Sequence, residues 1–146
     1  MPFPGGYRTT LIRAQSAVGF PVPAPHSAPA GRRALSGIWV SPDSRLVALV
    51  YGKEKLKILL QRWPTTANPI THKPEEWFHH ERDIMARNSA AIGRVNGQPA
   101  LIVQRHAGPC GTSPALVEFY RRGLEIDVSS PSYGTTELLK VATSVH

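Results

Sequence analysis

Between Ala115 and Ser130 the chain reads ALVEFYRRGLEIDVSS, two alternating runs joined at Arg122-Gly123. In the first, Leu116, Glu118 and Tyr120 alternate with Val117 and Phe119; in the second, Leu124, Ile126 and Val128 alternate with Glu125, Asp127 and Ser129. A period of two residues sends each set to its own side of a strand. Arg121-Arg122-Gly123 is short and carries a glycine that accepts positive φ, so the two runs form a β-hairpin. Beyond Tyr133-Gly134 the period lengthens. Leu138, Leu139, Ala142 and Val145 recur at helical spacing, with Thr135 placed to act as N-cap. A hairpin followed by a helix with one apolar stripe must bury that stripe on a sheet.

The rest of the chain supplies the sheet. LSGIWVS, RLVALVY and KLKILLQR follow one another between Leu35 and Arg62, separated by Ser41-Pro42-Asp43-Ser44 and Gly52-Lys53-Glu54. Proline presets φ and aspartate supports the bend in the first turn. RLVALVY is apolar on both faces, as a central strand requires. AAIGRV and QPALIVQRH flank Asn96-Gly97, the strongest local signal for a tight hairpin, and Pro99 favours an edge position. AGPCGTSP reads as a loop. Thr10 and Gly19 bracket a short helix carrying Leu11, Ile12 and Val18, and GFPVPAPHSAPAGRR behind it is an extended proline-rich crossing in which Phe20 and Val22 touch the body. Pro74 suits a first helical position, and Trp77, Phe78, Ile84 and Met85 place a second helix over 75–87. The expected fold is α+β: one twisted antiparallel sheet of about seven strands in meander order, with helices at the N-terminus, middle and C-terminus on one face. At 146 residues it is expected to be a single domain, residues 1–34 forming the leading helix and extended segment and 35–146 the sheet and closing helix.

Several function classes lose their basis here. No run of about 18 apolar residues is present to span a membrane, and MPFPGGYRTT carries no apolar core of a secretory signal. The single cysteine, Cys110, excludes an internal disulfide and a cysteine-based zinc site within one chain, and leaves the compartment open. The net charge of +7 falls in the first half, where nine basic residues meet Asp43 and Glu54. Those arginines are scattered in runs no longer than two, so nucleic-acid binding is not the expected role.

FPVPAP with APAGRR behind it, IWVSPDSRLVALVYG, VNGQPALIV and VEFYRRGLEIDVSSPSYGTTELLKVATSV together resemble a family of bacterial domains of unknown function. Those domains form the outer part of membrane-anchored proteins related to anti-sigma factors and sporulation regulators. Their layout is similar to the lipoprotein-carrier fold, a curved antiparallel sheet around helices. The resemblance covers most of the chain except about 64–90. It implies an extracytoplasmic setting and a carrier or sensor role, and it brings no catalytic residues.

Candidate chemistry concentrates in HKPEEWFHHERD. Glu76 and His80, like His79 and Asp83, stand four apart on a helix, the spacing that metal ligands need, with His72 or His106 to complete a set. The two-histidine motif of zinc proteases is absent. Cys110, near His106, is a candidate thiol nucleophile, without an orienting third group in the sequence. Trp39, Tyr51, Trp63 and Trp77 could line an apolar pocket on the sheet, and Arg121 and Arg122 an anion site, joined by Lys55, Lys57, Arg32 and Arg33. No phosphate loop is present and no cofactor is implied. The expectation is a non-catalytic domain that binds a small apolar or anionic ligand or a protein partner, with a homodimer through a sheet edge left open. The alternative is a small metal-dependent or thiol hydrolase built on His79, His80 and Cys110.

Overall fold

The computed structural model describes residues 2–23, 35–53, 55–62, 73–85 and 89–145. Eight strands form one antiparallel sheet: β1 (Tyr7–Thr9), β2 (Leu35–Val40), β3 (Leu46–Tyr51), β4 (Leu56–Arg62), β5 (Ala90–Val95), β6 (Gln98–Val103), β9 (Ala115–Arg121) and β10 (Leu124–Ser130). β7 (His106–Gly108) and β8 (Gly111–Ser113) form a separate small hairpin. The helices are α1 (Leu11–Val18), α2 (Pro74–Ile84) and α3 (Thr135–Thr143).

The turn chemistry behaves as the residues require. Asn96 and Gly97 take φ of 50° and 80°, and Arg122 and Gly123 take 51° and 77°, the paired left-handed conformations that match strand twist in a two-residue hairpin. Ser41 Oγ donates to Asp43 Oδ1 at 2.6 Å and accepts from Leu46 N at 3.0 Å, which closes the turn between β2 and β3. Thr10 caps α1 by accepting from Arg13 N, and Gly19 ends it in the left-handed region. Phe20 and Val22 are buried, and Val22 N donates to Gln15 Oε1 at 2.9 Å, so the extended segment lies on the body through Pro23.

A β-carbon at Gly97 would meet nothing within 4 Å, so Gly97→Ala probes backbone strain alone. The expected loss is about 1 kcal/mol, read as a lower denaturation midpoint at unchanged m-value.

Six expectations are corrected. The strand order is β1-β2-β3-β4-β10-β9-β6-β5, so the meander is broken: β4 pairs with β10, from Arg62 opposite Leu124 to Lys57 opposite Ser129. β1, in the segment 1–34 expected to hold the leading helix and the extended crossing, adds an eighth strand by pairing with β2, and the loop around Cys110 is the β7–β8 hairpin. Gly134, not Thr135, is the N-cap of α3, one residue earlier than its side-chain preference indicates. The helices do not share a face. α1 and α3 pack with Val40, Ile58, Phe119 and Ile126 in the larger core. The buried residue of α2 is Phe78, which packs on the opposite face against Leu101 and Val103. The cause is β6: Ala100 turns toward the main core while Leu101 and Val103 present a second apolar surface that α2 covers. Pro99 is in an inner strand, yet β6 pairs with β9 only from Ala100 to Val103, so the proline sits where that ladder has ended.

Candidate functional site

The α2 face of the sheet carries the chemistry. The two-residue turn at Arg122-Gly123 pairs Arg121 with Leu124 and, by the same register, Glu118 with Asp127 and Tyr120 with Glu125. Leu101 on β6 and Leu59 on β4 flank Glu118 and Asp127. α2 lies over β5 and β6, with the Phe78 ring 5.4 Å from that of Tyr120. Glu118 is 8% exposed, and one carboxylate oxygen from each of Glu118, Glu125 and Asp127 lies within 4.8 Å of the other two.

Burial dominates the electrostatics of this cluster. Glu118 is pushed from 4.5 up to about 10, first by burial, then by its hydrogen bond with Glu125 and the charges of Asp127, Glu125 and Glu81. Asp127 rises from 3.8 to about 8 through burial and the Glu125 charge, against an opposing pull from Lys57. Burial also raises Glu125 and the Tyr120 hydroxyl. Oε2 of Glu125 and Oδ1 of Asp127 are shielded from solvent and accept no hydrogen bond.

Beside the cluster the face is concave. A groove of about 500 Å³ has apolar walls of Leu59, Met85, Val103 and Leu116 and polar ones of Lys57, Asp127, Ser129 and His106. An adjoining hollow of about 370 Å³ shares Lys57, Pro114 and Ser129 and adds Val50, Arg105 and Thr112. The β7–β8 hairpin, through His106, Thr112 and Ser113, borders both.

The sequence-derived candidates are distributed differently. Tyr51 is buried in the core on the α1/α3 side, while Trp39 pairs with Ala48 on the other side of the sheet, so the two do not line one cleft. Trp77 packs at the edge of the α2 cluster. Arg121 and Arg122 border a cleft of about 300 Å³ at the end of the sheet. Arg62 joins them there, its guanidinium 5.6 Å from the Phe20 ring centroid and donating to Gly19 O at 2.7 Å. Arg121 donates to the carbonyl of Val145. Trp63, His72, Arg32 and Arg33 lie outside the described residues.

His79 and His80 are exposed on α2, and Glu76 pairs with Lys73 at 3.4 Å. Cys110 is exposed in the β7–β8 turn. Among the described residues, the group of three potential ligands that converges is Glu118, Glu125 and Asp127, and Glu76, His79 and His80 are not part of it. The sequence carried one signal for that cluster: a two-residue hairpin turn places the acidic residue four before it, Glu118, directly across from the one four after it, Asp127.

No family model, no curated protein and no solved structure matches the chain. No helix among the described residues is long and apolar enough to cross a membrane.

Proposed function

We propose that the chain is a non-catalytic binding domain that holds a small anionic amphiphile in the groove on the α2 face. The supporting observation is the lining. Leu59, Val103, Leu116 and Met85 accept an apolar body, and Lys57, shared with the adjoining hollow that holds Arg105, supplies positive charge for a head group. Asp127 does not oppose this at neutral pH, because burial holds its carboxyl protonated up to about pH 8. The resemblance to the outer domains of membrane-anchored regulators gives the reading its setting, a sensor or carrier outside the cytoplasm. The hydrolase alternative needs His79, His80 and Cys110 within hydrogen-bonding reach, and among the described residues no hydrogen bond joins any of them to another.

Ser129 lines both hollows, so Ser129→Trp fills them from the floor. The probe is 8-anilinonaphthalene-1-sulfonate, an apolar ring system with one sulfonate. The native protein should bind it saturably at one site, and Ser129→Trp should weaken binding at least ~10-fold, about 1.4 kcal/mol. Thr136→Trp, exposed on α3, should leave it unchanged. Equal binding by both variants would reject the groove as the site.

A further inference from the structure

We propose that Glu118, Glu125 and Asp127 form a binding site for a hard divalent cation of the Ca²⁺, Mn²⁺ or Mg²⁺ class, beside the amphiphile groove, with which it shares Asp127. Three observations converge on this. The donors are all carboxylate oxygens, the ligand type that selects hard cations over zinc or copper. One oxygen from each residue lies within 4.8 Å of the other two, a spread that a single ion with metal–oxygen distances of about 2.3–2.6 Å can bridge. Oδ1 of Asp127 and Oε2 of Glu125 are shielded from water with no partner, although an orphaned buried carboxylate oxygen is costly and calls for a proton, a donor or an ion.

Placement supports the same reading. The ligands stand on β9 and β10, paired strands in the middle of the sheet, so their spacing is held by ladder hydrogen bonds. Asp127 also lines the groove together with Met85 and Ser113, which gives a hydrated ion a path in and leaves room for water to complete its coordination. Glu81 on α2 adds a further negative charge near Glu118 and Glu125, and Lys57 is the cation that acts on Asp127 from the groove side.

The full chain, stripped with chelator, is titrated with CaCl₂, MnCl₂ and MgCl₂ at pH 7.5 by calorimetry and thermal unfolding. At least one of the ions should bind with a stoichiometry of one and raise the melting temperature by about 5 °C or more at saturation. Glu118→Gln should weaken that binding at least ~10-fold, while Glu76→Gln, on the exposed side of α2, should not change it. Glu118→Gln keeps the side-chain shape and removes a buried acid, and Asp127→Asn repeats the test at a second ligand with the fold checked by circular dichroism. Absence of binding by all three ions would overturn the proposal, as would binding that Glu118→Gln and Asp127→Asn leave intact. Loss of amphiphile binding in Ser129→Trp has no bearing on either outcome.

Discussion

Phe78→Ala is expected to release α2 from the sheet and lower stability by about 3–5 kcal/mol, the usual cost of emptying a buried phenylalanine site. Phe78 is fully buried, is the buried residue of α2, and packs against Leu101, Val103 and the Tyr120 ring. An 11-residue helix has little stability of its own in water, so it holds by that contact and by the partly buried Trp77 beside it. The melting temperature should fall by on the order of 10 °C. Amide exchange in 74–84 should accelerate ahead of the sheet. Leu138→Ala empties the core on the opposite face and serves as the comparison: similar stability loss, but α2 amides that stay protected relative to the sheet. A Phe78→Ala protein that melts within about 1 kcal/mol of the parent would show that α2 is not anchored this way.

The second large effect is on pH. In chelator, with no divalent ion present, the native protein should be most stable near pH 5 and lose stability steadily toward pH 10. The direction follows from the carboxyls. Folding raises Glu118 from 4.5 to about 10 and Asp127 from 3.8 to about 8, so over that span the native state binds more protons than the unfolded chain. Stability then falls as pH rises, and the decline ends once the folded-state values are passed. The proton-linked stabilisation is fully present below about pH 4 and gone above about pH 10. Ordinary proteins gain stability on leaving acid pH, so the slope here has the opposite sign for these groups. Glu118→Gln removes one titrating member and should flatten the decline, making the variant more stable than the parent at pH 8 by about 1–3 kcal/mol. Denaturant midpoints measured at half-unit pH steps decide it: a parent curve that rises from pH 5 to pH 8, or a variant curve parallel to it, would mean the carboxyls are not buried together.

Much of this architecture is readable from short windows. The alternation around Arg122-Gly123 fixes both the hairpin and which residues lie across from each other, because a two-residue turn leaves one register. The same holds at Asn96-Gly97. Thr10 and Gly19 mark a helix by their caps, and Pro74 followed by two glutamates marks the start of another. The carboxylate cluster was partly in reach by the same logic, since its three members all belong to this hairpin. Its burial was not, because nothing in ALVEFYRRGLEIDVSS states what will lie over Glu118.

What the sequence by itself determined is local: the turn types, strand periods, most helix ends and the register of each hairpin. These depend on φ preferences and side-chain alternation within a few residues, and no distant contact can easily override them. Only the tertiary structure decided that β10 pairs with β4, that the proline-flanked β6 stands inside the sheet, and that α2 covers the face opposite α1 and α3. Those choices turn on the total apolar area removed from water by elements separated by dozens of residues, a sum that no single window contains. The cluster of Glu118, Glu125 and Asp127 stands where the two levels meet. Local pairing brings the acids together, and long-range packing takes them out of water, which is what turns three ordinary surface carboxylates into a site.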